Sequence, residues 1–176
     1  APQDGVHAIR IAAAAIAEMA IGRIGDDTTV NVGQIEGGRA SNIVPDYCEV
    51  SGELRSFSHK KALEELAKVE QIFAKEAEKR GGSIEFIRDI CYQAYKTDEN
   101  ESVVKEFQKA CTACGIKSSL IATFGGSDQN KMSEHGIPGI VMASAMHQVH
   151  SCQEYTEVSE MAQVAGIVSE LLQMKE

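Results

Sequence analysis

The stretch from Val30 to Ser56, VNVGQIEGGRASNIVPDYCEVSGELRS, constrains the fold more than any other, because it sets two strand-like runs around a polar turn. Val30, Val32 and Ile35 lead into a Gly37-Gly38 break. Asn42-Ile43-Val44-Pro45-Asp46 makes a second turn, and Tyr47 to Leu54 then alternates apolar and polar residues, which predicts a β-hairpin. Two polar side chains stand out, Asn42 just before the Pro turn and Arg55 at the end of the second strand. An Asn donor beside an Arg fork can hold a carboxylate in a fixed orientation, and Arg does so bidentately where Lys acts as a point charge. A Gly-rich turn with an Asn in a tight backbone conformation and an Arg on a solvated face is the plain alternative, and spacing does not separate the two.

Helical patterns surround this hairpin. From Asp4 to Ile21 an Ala-rich run carries Val6, Ile9, Ile11, Ala13, Ile16 and Met19 at helical spacing, with His7 in its first turn as an exposed or capping residue and Gly22 as the stop. His59 to Arg80 predicts a second helix with Leu63, Leu66, Val69, Ile72, Phe73 and Ala77 on one face. Gly81-Gly82 ends it as a left-handed cap, and its KEAEKR run is expected to be a solvated face with i,i+4 pairs. Ser83 to Tyr92 reads as a strand. The order helix, strand, strand, helix, strand is that of a ferredoxin-like unit lacking its first strand, so the expected class is α+β.

The pattern restarts near residue 96, which sets the expected domains at 1–95 and 96–176. Ser102 to Cys114 predicts a helix stopped by Gly115, and Lys117 to Ala122 a short strand. Thr123 to Asn130 is a Gly-rich turn entering a short helix over Asp128 to His135. Its Gly126, Ser127 and Asp128 either bind an anion through backbone N–H groups or simply cap the helix. Ile137 to Ala143 is a candidate buried strand, and Glu157 to Met174 a closing helix with Met161, Val164, Ile167, Val168, Leu171 and Leu172 inward. Between them, His147 and His150 form an H-x-x-H pair in what reads as a loop, a motif of low specificity for metal.

Composition narrows the function. A net charge of −9 argues against a nucleic-acid surface, and no apolar run approaches the roughly 20 residues that span a bilayer. The five cysteines are odd in number and scattered, as free thiols of a reducing cytoplasm would be. Cys111-Thr-Ala-Cys114 lies inside a helical pattern with no second pair to complete a zinc site, so a packing role is expected. The opening Ala1-Pro2, without an initiator Met, reads as the start of a processed or excised segment.

The run GGRASNIVPDYCEVSGELRS resembles the lid-domain signature of the co-catalytic zinc metallopeptidases that include peptidase T, acetylornithine deacetylase and glutamate carboxypeptidase. The resemblance assigns Asn42 and Arg55 to the substrate's carboxylate or backbone, and places Gly126 and Asp128 of the G-G-S-D turn beside the active site. It also makes His150, in His150-Ser151-Cys152-Gln153-Glu154, the last metal ligand, and leaves His147 without a role. The family's histidine that stabilises the transition state would lie just upstream of Ala1, which implies that the chain begins inside the lid. A two-zinc amide hydrolase needs about five or six ligands and a carboxylate base. By the resemblance the base and the other ligands lie N-terminal to the lid, so no catalytic residue falls in this chain. The resemblance therefore implies the C-terminal half of a peptidase T-like aminopeptidase, tripeptidase or N-acyl amino acid deacylase, inactive by itself and using zinc. It implies a homodimer acting on a short peptide or N-acyl amino acid, and composition adds the expectation of the cytoplasm without nucleic acid or membrane. The alternative is a non-catalytic dimerisation or small-ligand-binding module with no metal.

Overall fold

The computed structural model describes residues 1–173 and is of the α+β class, in two compact units, Ala1–Ala94 and Tyr95–Glu176. In the first unit a 3-10 turn at Pro2–Asp4 precedes α1 (Ala8–Glu18). His7 caps α1, its Nδ1 accepting from the Arg10 N–H at 3.3 Å, which satisfies one of the donors every helix start leaves open. Then come β1 (Gly22–Ile24), β2 (Thr28–Gly37), β3 (Cys48–Ser56) and α2 (His59–Lys79). The three strands form one antiparallel sheet in the order β1-β2-β3, with a register shift between Val32 and Gln34.

Strand parity divides this sheet into a covered and an open face. Thr28 and Val30 of β2 are buried, and Cys48, Val50, Leu54 and Ser56 of β3 are half-buried, all on the side where α1 and α2 pack. Glu49, Ser51, Glu53 and Arg55 alternate with them and are exposed. The inner face of α1 is Ile11, Ala12 and Ala15, and the two alanines let the helix sit close to its neighbours. Of the ferredoxin-like pattern expected for this unit, the described residues contain α1, the β2–β3 pair and α2, plus the short β1.

The KEAEKR run is solvated at Lys75, Glu78 and Lys79 and forms the expected i,i+4 pair between Glu76 and Arg80, but Glu76 departs from that exposed face. Glu76 is buried, held by the Arg80 guanidinium one turn on and by Lys79 at 3.5 Å. Burial works to raise its carboxyl pKa, but the Arg80 hydrogen bond and charge, with Lys79, outweigh burial and hold it below the ordinary 4.5. A carboxyl depressed in this way stabilises the fold above its unfolded pKa and loses that contribution as pH falls through the lower folded value. Asp27, lowered chiefly by its hydrogen bond to Lys61, acts in the same direction. Acid unfolding followed by circular dichroism is therefore expected to begin below pH 4.5. Arg80→Ala strips Glu76 of its main counter-charge and moves that midpoint upward. An unchanged midpoint would show that Arg80 does not hold the Glu76 charge.

The second unit comprises α3 (Ser102–Ala113), α4 (Asp128–Glu134), a two-residue hairpin of β4 (Met146–His147) with β5 (Tyr155–Thr156), and α5 (Val158–Gln173). Its core is Ala110, Cys111 and Ile167, where α3 meets α5, flanked by Phe107, Cys114, Ile116, Met142 and Leu171. Both cysteines of the C-x-x-C thus pack, and burial pushes the Cys111 thiol pKa up, away from thiolate chemistry. On α5, Met161, Val168 and Leu172 are exposed, so its inner stripe is narrower than its periodicity implied. Met174, the expected last residue of that helix, lies outside the described residues.

Three expected strands are absent among the described residues: Ser83 to Tyr92, Lys117 to Ala122 and Ile137 to Ala143. Apolar alternation reports that a segment suits a sheet, whereas a strand exists only as a ladder with a neighbour. These segments instead expose Ile87, Ile121 and Val141. Side chains tie two of them locally: Arg88 pairs with Glu70 on α2, and Thr97 Oγ1 donates to the Gly139 carbonyl at 2.8 Å.

Candidate functional site

In the first unit the two expected substrate residues sit at opposite ends of β3. Asn42 is exposed in the loop before Cys48, whereas Arg55 pairs with Thr29 near the far end of the strand. Seven residue steps along the strand separate Cys48 from Arg55, on the order of 23 Å at the usual rise. Pro45 fixes the loop at its own end of the sheet, its carbonyl accepting the Ala8 N–H at 2.9 Å. One copy of the chain therefore does not bring Asn42 and Arg55 onto one carboxylate. The adjacency read from their positions in the sequence gives way to the length of an extended strand.

Arg55 stands on the open face of the sheet with its fork engaged. Its Nε donates to Glu53 Oε1 and its Nη2 to Glu53 Oε2, both at 2.7 Å. Residues two apart on a strand share a face, which makes this bidentate grip possible. The pair is partly exposed, at 42% for Arg55 and 59% for Glu53, so it contributes little to stability. The Glu53 hydrogen bond holds the guanidinium charged above its already high ordinary value. The structure thus shows Arg55 binding a carboxylate, and that carboxylate is the chain's own.

In the second unit Gly126 and Asp128 lie at the start of α4, both exposed. Asn130 reaches back so that its Oδ1 accepts the Ser127 N–H at 3.0 Å, the reciprocal half of a capping box. Asp128 in the first turn complements the helix dipole. Of the two readings of this turn, capping is the one its contacts display.

The β4–β5 hairpin, whose loop holds His150, carries the positive-φ backbone outside glycine among the described residues. Ala145, Gln148 and His150 have φ of 60°, 50° and 64°. For residues other than Gly this left-handed region costs about 1–3 kcal/mol each, and such residues cluster at functional sites. Four contacts enforce the shape. The His150 N–H donates to Glu154 Oε2 at 2.9 Å, Ser151 Oγ to the Gln148 carbonyl at 2.7 Å, and Thr156 Oγ1 to the Ala145 carbonyl at 2.6 Å. The Gln153 N–H donates back to Ser151 Oγ at 3.1 Å. Thus Glu154 and Ser151, which follow His150 in the motif, fold the turn that presents it. His150 is exposed, and among the described residues no hydrogen bond engages its ring nitrogens.

His147 is anchored instead. Its ring stacks on Tyr155 with centroids 4.8 Å apart, and its Nε2 lies 2.5 Å from Glu160 Oε2 on α5. Tyr155 and Glu160 were missed by sequence reasoning, although hairpin register would have paired His147 with Tyr155 had the two-residue strands been legible. An imidazole is a good zinc donor, so His150 suits one ligand position. Among the described residues no three His, Cys, Asp or Glu side chains come close enough to hold a metal ion together.

Residues 1–81 match the model of a peptidase dimerisation domain. Over 98% of its length the chain is 35% identical to aminopeptidase PepT from Bacillus cereus ATCC 10987, with a TM-score of 0.81. Over the same share it is 31% identical to a tripeptidase from Staphylococcus aureus, with a TM-score of 0.88. It is also 34% identical over 172 residues to the protein YqjE of Bacillus subtilis. The chain spans 46% of the length of each of these three relatives.

Proposed function

We propose that this chain, whose residues 1–81 match a peptidase dimerisation domain, is part of an M20 peptidase and serves peptide hydrolysis as the substrate-gripping part of a zinc aminopeptidase or tripeptidase. The observation that carries this reading is the Arg55 guanidinium, held on the open sheet face and already gripping a carboxylate at two 2.7 Å bonds. The free carboxylate of a short peptide has the same shape and charge as the Glu53 head group. Asn42, at the other end of β3, serves a different part of the substrate or a site completed by a second copy. Homodimerisation through the first unit fits the matched domain.

In the second unit His150 supplies one metal ligand, with Gly126 and Asp128 near it in the working site. Zinc held there would supply a water of lowered pKa and a Lewis acid for the scissile carbonyl. This chain's own part is to present the His150 imidazole on a backbone that Glu154 holds fixed. One histidine does not make a two-metal site, so the remaining ligands and the base come from a polypeptide segment beyond these residues. The five cysteines are unpaired, which fits a reducing compartment such as the cytoplasm. Among the described residues no helix is long and apolar enough to cross a membrane.

A panel of tripeptides, dipeptides and N-acyl amino acids, assayed with a full-length M20 peptidase carrying these residues, tests the reading. Metal-dependent release of the N-terminal amino acid from tripeptides is expected, from a protein that light scattering finds to be dimeric. Hydrolysis confined to N-acyl amino acids would make it a deacylase, and a monomer would remove the second copy from the account.

A further inference from the structure

We propose that Glu53 is a built-in competitor for the substrate carboxylate, a latch that takes the Nε–Nη2 edge of Arg55 when no substrate is present and must be displaced for a peptide carboxylate to bind on that edge. This rests on the reading of Arg55 as the carboxylate site and adds a residue that sets its affinity and selectivity. Three observations carry it. Glu53 occupies the Nε–Nη2 edge of the fork, one of the two edges on which a planar carboxylate from solution makes a bidentate pair. The two residues sit on the same open face two positions apart, so Glu53 can swing away without disturbing the β2–β3 ladder, where it pairs with Asn31. The pair is also partly exposed, and surface ion pairs of this kind are weak enough for a competing carboxylate to replace them.

A latch of this strength lowers the affinity for every carboxylate and discriminates against ligands too weakly charged to displace Glu53. Neutral ends, such as a peptide amide, are rejected twice: they gain little from the fork and do not release it. Glu49, exposed on the same face but hydrogen-bonded to the Tyr47 hydroxyl at 3.0 Å, is a control for charge without occupancy.

The test titrates the 176-residue chain with tri-alanine and with tri-alanine amide, following the backbone amide resonances of β3 by NMR, which every variant retains. Glu53→Gln is expected to tighten tri-alanine binding by about three- to tenfold, the size of a weak surface pair. The amide should gain nothing, and Glu49→Gln should have a smaller effect. Arg55→Ala should abolish the difference between acid and amide. If Arg55→Ala leaves tri-alanine binding intact, or if neither wild type nor Glu53→Gln responds to tri-alanine, the Arg55 reading falls and the latch with it. If Arg55→Ala removes binding while Glu53→Gln leaves it unchanged or weaker, the latch alone is overturned. An equal gain from Glu49→Gln would likewise reduce Glu53 to a diffuse surface charge and overturn it.

Discussion

Replacing His150 by alanine is expected to cost at least about a hundredfold in metal affinity, since even residues that only orient a ligand cost about 10- to 100-fold. In a full-length M20 peptidase carrying these residues, metal content after dialysis and kcat/KM for a tripeptide should fall together. The structure supplies the reason in the backbone. The Glu154 carboxylate holds the His150 N–H at 2.9 Å in a left-handed conformation that a histidine adopts at a cost, and Ser151 closes the preceding turn. A surface histidine with no task would not need that enforcement. Should His150→Ala retain its metal and its activity, the metal role is wrong, and the non-catalytic binding module becomes the better account.

Arg55→Ala is the second large effect. Deleting one partner of a buried hydrogen-bonded charge pair costs about 2–5 kcal/mol; a peptide seated on Arg55 takes the pair out of water, and the partial exposure of Arg55 without substrate places the cost near the lower end, about 30- to 150-fold in kcat/KM. Arg55→Lys is not expected to restore the rate, because an ammonium lacks the fork that now holds both Glu53 oxygens. The loss should be specific to substrates with a free carboxylate, which separates lost recognition from lost stability.

The helices and the main hairpin were legible because their signals are local. The 3.6-residue stripe of α2 and the left-handed Gly81 at φ 73° both follow from residues within a few positions of one another. Gly115, at φ 70°, stops α3 for the same reason. The burial of Glu76 was hidden because its counter-charges, Lys79 and Arg80, look the same in sequence as those of a solvated surface pair. The left-handed backbone at Gln148 and His150 was invisible because neither residue is the Gly or Asn that usually announces it. Ser83 to Tyr92 carried a strand pattern without a ladder, since partners are long-range facts that a single segment does not encode.

The candidate site was legible residue by residue and not in its geometry. Asn42 and Arg55 were found through their motif, but their separation along β3 appears only once the intervening residues are known to be extended. The Glu53 contact was within reach of sequence parity, since residues 53 and 55 of one strand must share a face. His147, which had no role in the motif, proved to be tied to Glu160 and Tyr155, a contact set by the short β4–β5 register.

The most direct measurement of the central claim, that Arg55 recognises the free carboxylate of a short peptide, is a ratio. It compares kcat/KM for tri-alanine with that for tri-alanine amide, in the wild-type full-length protein and in Arg55→Ala. The account predicts a wild-type preference for the free acid of about 30- to 150-fold, collapsing to near one in the variant. A variant that keeps the wild-type preference would contradict it.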